Sequence, residues 1–235
     1  MRVVLCAWLT ATLAACGQPY VNIPFKPDPA LWTPECDDLT VDWADATCQN
    51  PQWQAPACAQ PVLVDAPEAG HDVVALPTAL TYTASPPLSG SHRPDWARWG
   101  EYAYLPPQVW LHNLEVGGIV VLYHPCVPAS VVDDLRQWLR VQPADAAGLF
   151  RWILTPYPGL TTPFAILAWQ HSLAGTCLDA TTADAFAQAH YRHAPEDTTL
   201  MGAYQYGWLG GSGALYVAPT SPPPTCTDAA TTDGM

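Results

Sequence analysis

Residues 119–139, IVVLYHPCVPASVVDDLRQWL, decide the fold class. Ile119-Val120-Val121-Leu122-Tyr123 is an unbroken apolar run rich in β-branched residues. It lacks the alternation of a half-solvated strand, which predicts a strand buried on both faces. After a proline-bounded connection, Ser130 is a candidate N-cap, Asp133 and Asp134 place acid in the first turn, and apolar residues return at helical spacing through Leu139. Working outward, Phe150–Thr155 and Phe164–Trp169 read as strands around the turn Pro156-Tyr157-Pro158-Gly159. Thr182–Tyr191 reads as a second helix, with Ala185, Phe186 and Ala189 on one face, and Ala79–Thr83 reads as a short strand. The pattern predicts an α+β fold: a mixed β-sheet with two main helices and long ordered loops, braced by disulfides. Tyr204–Tyr216, rich in Gly, Tyr and Trp, has no assignable period.

The N-terminus predicts export. Met1-Arg2 precedes a short apolar run, Val3–Leu13, which is too short to span a bilayer and has the form of a secretory leader. Leu13-Ala14-Ala15-Cys16-Gly17 resembles a bacterial lipobox, so Cys16 is expected to carry lipid as the first mature residue. The alternative is an ordinary leader with an incidental cysteine. The expected organisation is a lipoprotein signal peptide over 1–15, a Cys/Pro-rich extension over 16–66, the α+β domain over 67–218, and a disordered Pro/Thr-rich tail over 219–235. Gly17 after Cys16 points to the outer membrane of the cell envelope.

The formal charge is −13 with 21 acidic residues against eight basic ones, and removal of Arg2 with the leader takes it to about −14. Such a surface repels nucleic acid and anionic lipid headgroups, so any membrane attachment falls to the lipid. Of the eight cysteines, Cys6 leaves with the leader and Cys16 carries lipid. Cys36, Cys48, Cys58, Cys126, Cys177 and Cys226 remain, an even set that in an exported chain predicts disulfides. If all pair, at least one bond must join the N-terminal trio to the later cysteines. Zinc ligation by thiolates is not indicated, because no C-x-x-C occurs.

Candidate chemistry concentrates between positions 70 and 118. The run Ser85–Tyr102 is dense in aromatics, histidine and turn residues without a regular period, and reads as an ordered loop. Gly70-His71, Pro86-Pro87-Leu88-Ser89-Gly90-Ser91-His92, Trp96, Trp99-Gly100-Glu101-Tyr102 and His112-Asn113-Leu114-Glu115 with Gly117-Gly118 together resemble DUF3105, a bacterial domain family of unknown function. Pro156–Gly159, Ala168-Trp169 and Tyr191-Arg192 before Pro195-Glu196 extend the resemblance over about residues 67–197. It implies a shared architecture and recurrent residues, and no activity. Members typically carry a second histidine where this chain has Val116. The longer H-x-x-E-H form looks like an inverted zincin motif, but Val116 cannot ligate, and Gly117-Gly118 before a β-branched run argues against the helix that motif needs.

His71, His92 and His112, on separate stretches, are candidate ligands for copper or zinc, and Glu115 is expected behind His112, accepting its second ring N–H. The competing reading makes each histidine a structural hydrogen-bonding group, in a lipoprotein devoted to structure or protein interaction. Trp96, Trp99 and Trp110 are candidates for a flat-ligand pocket or for core. Ser89 near His92 lacks a nucleophile-elbow setting, so no catalytic set is identified. His190 and His193 suit a helix C-terminus. Gly210-Gly211-Ser212-Gly213 lacks the P-loop lysine.

Overall fold

The computed structural model describes residues 62–65 (backbone only), 72–75, 80–205 and 207–211. The leader, Cys16, Cys36, Cys48, Cys58, His71, Cys226 and the tail over 219–235 lie outside the described residues.

Seven strands form one sheet: β1 (Val62–Asp65), β2 (Gly100–Tyr102), β3 (Ile119–Tyr123), β4 (Trp152–Pro156), β5 (Phe164–Ala168), β6 (His171–Gly175) and β7 (Trp208–Gly210), in the order β1-β6-β5-β3-β4-β2-β7. The sheet is mixed. β4 runs parallel to both β3 and β2, and the remaining pairings are antiparallel. Among the described residues three helices, α1 (Pro107–Glu115), α2 (Ala129–Val141) and α3 (Ala180–His190), pack with the sheet in an α+β domain.

β3 lies at the centre, and its unbroken apolar character has the expected cause. Val120 and Leu122 pack with α1 residues Val109, Trp110 and Leu114 on one face of the sheet. Ile119 and Val121 pack with Leu135, Trp138 and Phe186 from α2 and α3 on the other. Each face is covered, so neither register of the strand meets water. Helix α2 buries Val132, Leu135, Trp138 and Leu139, a stripe at helical spacing.

Several expectations change. Ser130 does not cap α2; the cap position is Pro128, and the helix opens one residue before the serine. Helix α3 begins at Ala180, where the Asp179 carboxylate accepts the Thr182 N–H, and its buried face is Ala183, Phe186 and Ala187 rather than Ala185 and Ala189. Leu80–Thr83 is not a strand. Three strands, β2, β6 and β7, arise where no strand was assigned, and β1 pairs with β6 from within the stretch assigned to the extension.

The largest correction is α1. Gly117-Gly118, read as an argument against a helix, is what ends one. Gly117 has φ +88°, its N–H bonds the Leu114 carbonyl, and the Gly118 N–H reaches back to Asn113. This is a Schellman termination, which favours glycine at the left-handed position. Pro107 opens the helix, where its missing N–H costs no intrahelical bond. Every residue of α1 is buried, so it lacks the amphipathic stripe by which surface helices are found.

Candidate metal centre

Helix α1 sets the site. Positions 108, 112 and 115 are spaced four and three apart, so Gln108, His112 and Glu115 share one face. Asn113 points elsewhere and anchors the facing loop: its Oδ1 accepts the Ala97 N–H and its Nδ2 donates to the Ala97 carbonyl, each at 2.8 Å. The loop backbone is tied down again where the Arg93 N–H meets the Gln108 carbonyl at 2.7 Å. His92 is gripped from its far side by residues 72–74. Its N–H donates to Asp72 and its carbonyl accepts from Val74. Thus the loop that looked periodless is held by ladder-like and side-chain bonds to a rigid helix.

His92, His112 and Glu115 each offer one ligand atom, and these atoms lie within 4.8 Å of one another. Their exposures are 0%, 6% and 2%. Both rings spend one nitrogen on backbone: His92 Nδ1 is 2.9 Å from the Gly90 carbonyl oxygen, and His112 Nδ1 is 2.7 Å from that of Arg93. A carbonyl only accepts, so each Nδ1 carries a proton, and a ring that holds that proton alone presents its lone pair on Nε2. His92 Nε2 stands 2.9 Å from Glu115 Oε2. The two rings tilt against each other with centroids 4.6 Å apart, and the Trp96 ring lies 5.0 Å from that of His112. Burial lowers the His112 pKa below the usual histidine value, against the opposing pull of the Arg93 carbonyl, and the neighbouring His92 adds to the lowering. Burial thus favours the neutral form of His112.

The structure brings together His92 and His112 of the three candidate histidines; His71 lies outside the described residues. Glu115 does not stand behind His112, because the Arg93 carbonyl occupies that place, and the carboxylate instead faces His92 as a member of the cluster. Of the tryptophans, Trp96 abuts the site, whereas Trp99 and Trp110 are core residues. The Trp99 indole donates to the Leu200 carbonyl at 3.3 Å, and Trp110 meets Tyr157 edge-on. Ser89 is buried, and its hydroxyl has no hydrogen-bond partner among the described residues. His193 Nδ1 donates to the Ala189 carbonyl at the end of α3, and His190 stacks on His171 with centroids 4.0 Å apart.

Sequence reasoning missed Gln108. It is fully buried, with neither amide atom hydrogen-bonded among the described residues. The signal was present in the spacing to His112, but it is visible only once 107–115 is known to be helical.

A second polar network steadies the region from behind. The buried Arg151 guanidinium bonds Asp145, Tyr191 and Asp197, and Arg192 also bonds Asp197. The adjoining backbone returns to α1, with the Arg192 N–H on the Gly117 carbonyl and the Glu196 N–H on that of Glu115. The motif residues after α3 thus hold the C-terminal end of the helix that carries the site.

A family model described as "Protein of unknown function (DUF3105)" matches residues 74–202. No curated protein and no solved structure matches.

Proposed function

The chain belongs to the DUF3105 family, and we propose that it is a lipid-anchored envelope protein that binds a transition-metal ion, zinc or copper, through His92, His112 and Glu115. One observation carries the metal reading: two imidazoles and a carboxylate bring ligand atoms within 4.8 Å of one another in a buried space, while both Nδ1–H groups are tied to backbone carbonyls, which leaves Nε2 as the nitrogen each ring would offer. Fixing a ring through its other nitrogen is how proteins commonly prepare a histidine ligand. Two acceptor atoms 2.9 Å apart, His92 Nε2 and Glu115 Oε2, repel unless a positive charge lies between them. A cation at the cluster serves all three groups at once, and imidazole with carboxylate suits zinc and copper.

A proton is the competing positive charge. It would convert His92 and Glu115 into a buried ion pair, in keeping with a purely structural or protein-interaction lipoprotein. The deciding experiment is metal analysis of protein purified without a polyhistidine tag, followed by zinc and copper titration. One equivalent bound by the parent and lost in both His112→Ala and Glu115→Gln supports the centre. No binding to the parent supports the proton.

Lipid attachment at Cys16 rests on the Leu13–Gly17 pattern, and is tested by loss of fatty-acid labelling in Cys16→Ser. Disulfide bracing of the exported domain draws support from Cys126 and Cys177, both disulfide-bonded. The strongly acidic composition supports exclusion of nucleic acid as a partner.

A further inference from the structure

Gln108 lies one helical turn before His112 on the face of α1 that carries the site. Its side chain is 0% exposed, and both Oε1 and Nε2 are without hydrogen-bond partners among the described residues. The Trp96 indole, whose ring packs on His112, has a buried Nε1–H that likewise has no partner among the described residues. Leaving such groups empty in an interior costs about 1–3 kcal/mol each, and folded proteins rarely tolerate it. In α-helices side chains lean toward the N-terminus, which brings the His112 ring over the turn that holds Gln108. The two residues that carry these N–H donors are thus both neighbours of His112, one by helical spacing and one by ring packing.

Charge balance points to what they receive. A divalent ion among two neutral imidazoles and one carboxylate leaves one uncompensated positive charge in a buried site, and three protein ligands leave a coordination position open. Resting on the metal reading above, we propose that this position takes a small anionic oxygen donor, hydroxide or a carboxylate the size of formate, held by the Gln108 amide and the Trp96 indole N–H. The anion neutralises the residual charge and accepts both hydrogen bonds. Gln108 and Trp96 are then ligand-binding residues of an open metal centre, rather than packing around a closed one.

The test uses the full chain loaded with Cu(II), followed by visible and electron paramagnetic resonance spectra. Metal stoichiometry is measured first in the parent, Gln108→Leu and Trp96→Phe; absence of copper from the parent overturns the metal reading itself, and this inference with it. With copper bound in all three, formate titration is expected to shift the parent spectrum. Half-saturation should rise by about tenfold or more in each variant, as for a lost hydrogen bond to an anion. A spectral transition on raising pH without formate, displaced upward in the variants, identifies hydroxide as the anion. A copper-loaded parent whose spectrum responds to neither formate nor pH overturns the inference while leaving the metal site standing. So does an equal response in all three proteins.

Discussion

His112 Nδ1 and the carbonyl oxygen of Arg93 are 2.7 Å apart, so one backbone group of the Ser85–Tyr102 loop fixes which nitrogen of the helix histidine remains available. Replacing His112 with Ala removes a proposed ligand and leaves the Arg93 carbonyl short of a donor. Metal affinity is expected to fall by more than the roughly 10–100-fold associated with outer-shell changes, and apo stability by about 1–3 kcal/mol. Calorimetric titration and urea unfolding separate the two effects.

The Asn113 side chain holds both backbone groups of Ala97. Asn113→Ala should therefore lower stability by roughly 1–3 kcal/mol for each buried group left unpaired. Asn113→Asp, which keeps the acceptor and loses the donor, should retain the Ala97 N–H bond but not the carbonyl bond. Urea midpoints compared among the three proteins check this. Equal stability of Asn113→Ala and the parent would show that the loop is held elsewhere.

The pH response follows from the lowered His112 pKa. Between the folded value and the unfolded value of about 6.5, the unfolded chain binds the proton and the folded chain does not, so stability rises with pH across that window. It is fully present above the unfolded value and is lost as pH falls. The apo protein should melt at a lower temperature as pH is taken down through the histidine range. The slope should be shallower in His112→Asn, and bound metal should steepen it in the parent, because the metal excludes the proton from the folded protein while the unfolded chain still takes it up.

Gly117→Ala tests the helix stop. The glycine has φ +88°, and a Cβ there would lie 3.0 Å from Arg192 Cα. Left-handed backbone costs a non-glycine residue about 1–2 kcal/mol before any crowding. Thermal unfolding should show at least that loss. Because Arg192 donates its N–H to Gly117, the segment joining α3 to α1 should also exchange amide hydrogens faster.

Asp145 and Arg151 meet at 3.0 Å with 4% and 0% side-chain exposure. Burial pushes the Asp145 carboxyl upward, but the Tyr191 hydroxyl, the Ala147 and Leu149 N–H groups and Arg151 outweigh it, so its pKa is lowered. Asp145→Ala leaves a buried guanidinium short of a partner, and should cost about 3–5 kcal/mol. In the parent, the contribution of this carboxylate is present above the unfolded aspartate value and lost as pH falls through the lower folded value. The variant should therefore lose less stability on acidification.

Legibility followed burial pattern. Strand β3 stood out because both faces are covered, and α2 because one face is not. Strand β5 was also recognisable, as FAILA is buried at every position. Helix α1 was missed because total burial erases the helical stripe, and because its Schellman glycines look the same as punctuation before a strand. Strands β2 and β7 have three residues each, fewer than periodicity needs. Strand β6, HSLAG, lacks β-branched residues and is set by its partners β5 and β1.

The amino-acid order by itself determined the central strand, the amphipathic helix after it, the acidic character and the chemical types available at His92, His112 and Glu115. These follow from local spacing and composition, which act through neighbours along the chain. Convergence of His92 with His112 and Glu115, the exchange of Glu115 for the Arg93 carbonyl behind His112, and the buried Gln108 were decided only by tertiary structure. Distance between residues twenty positions apart depends on loop anchoring, here the Asn113–Ala97 and Arg93–Gln108 bonds, and such long-range bonds leave no periodic trace in a sequence.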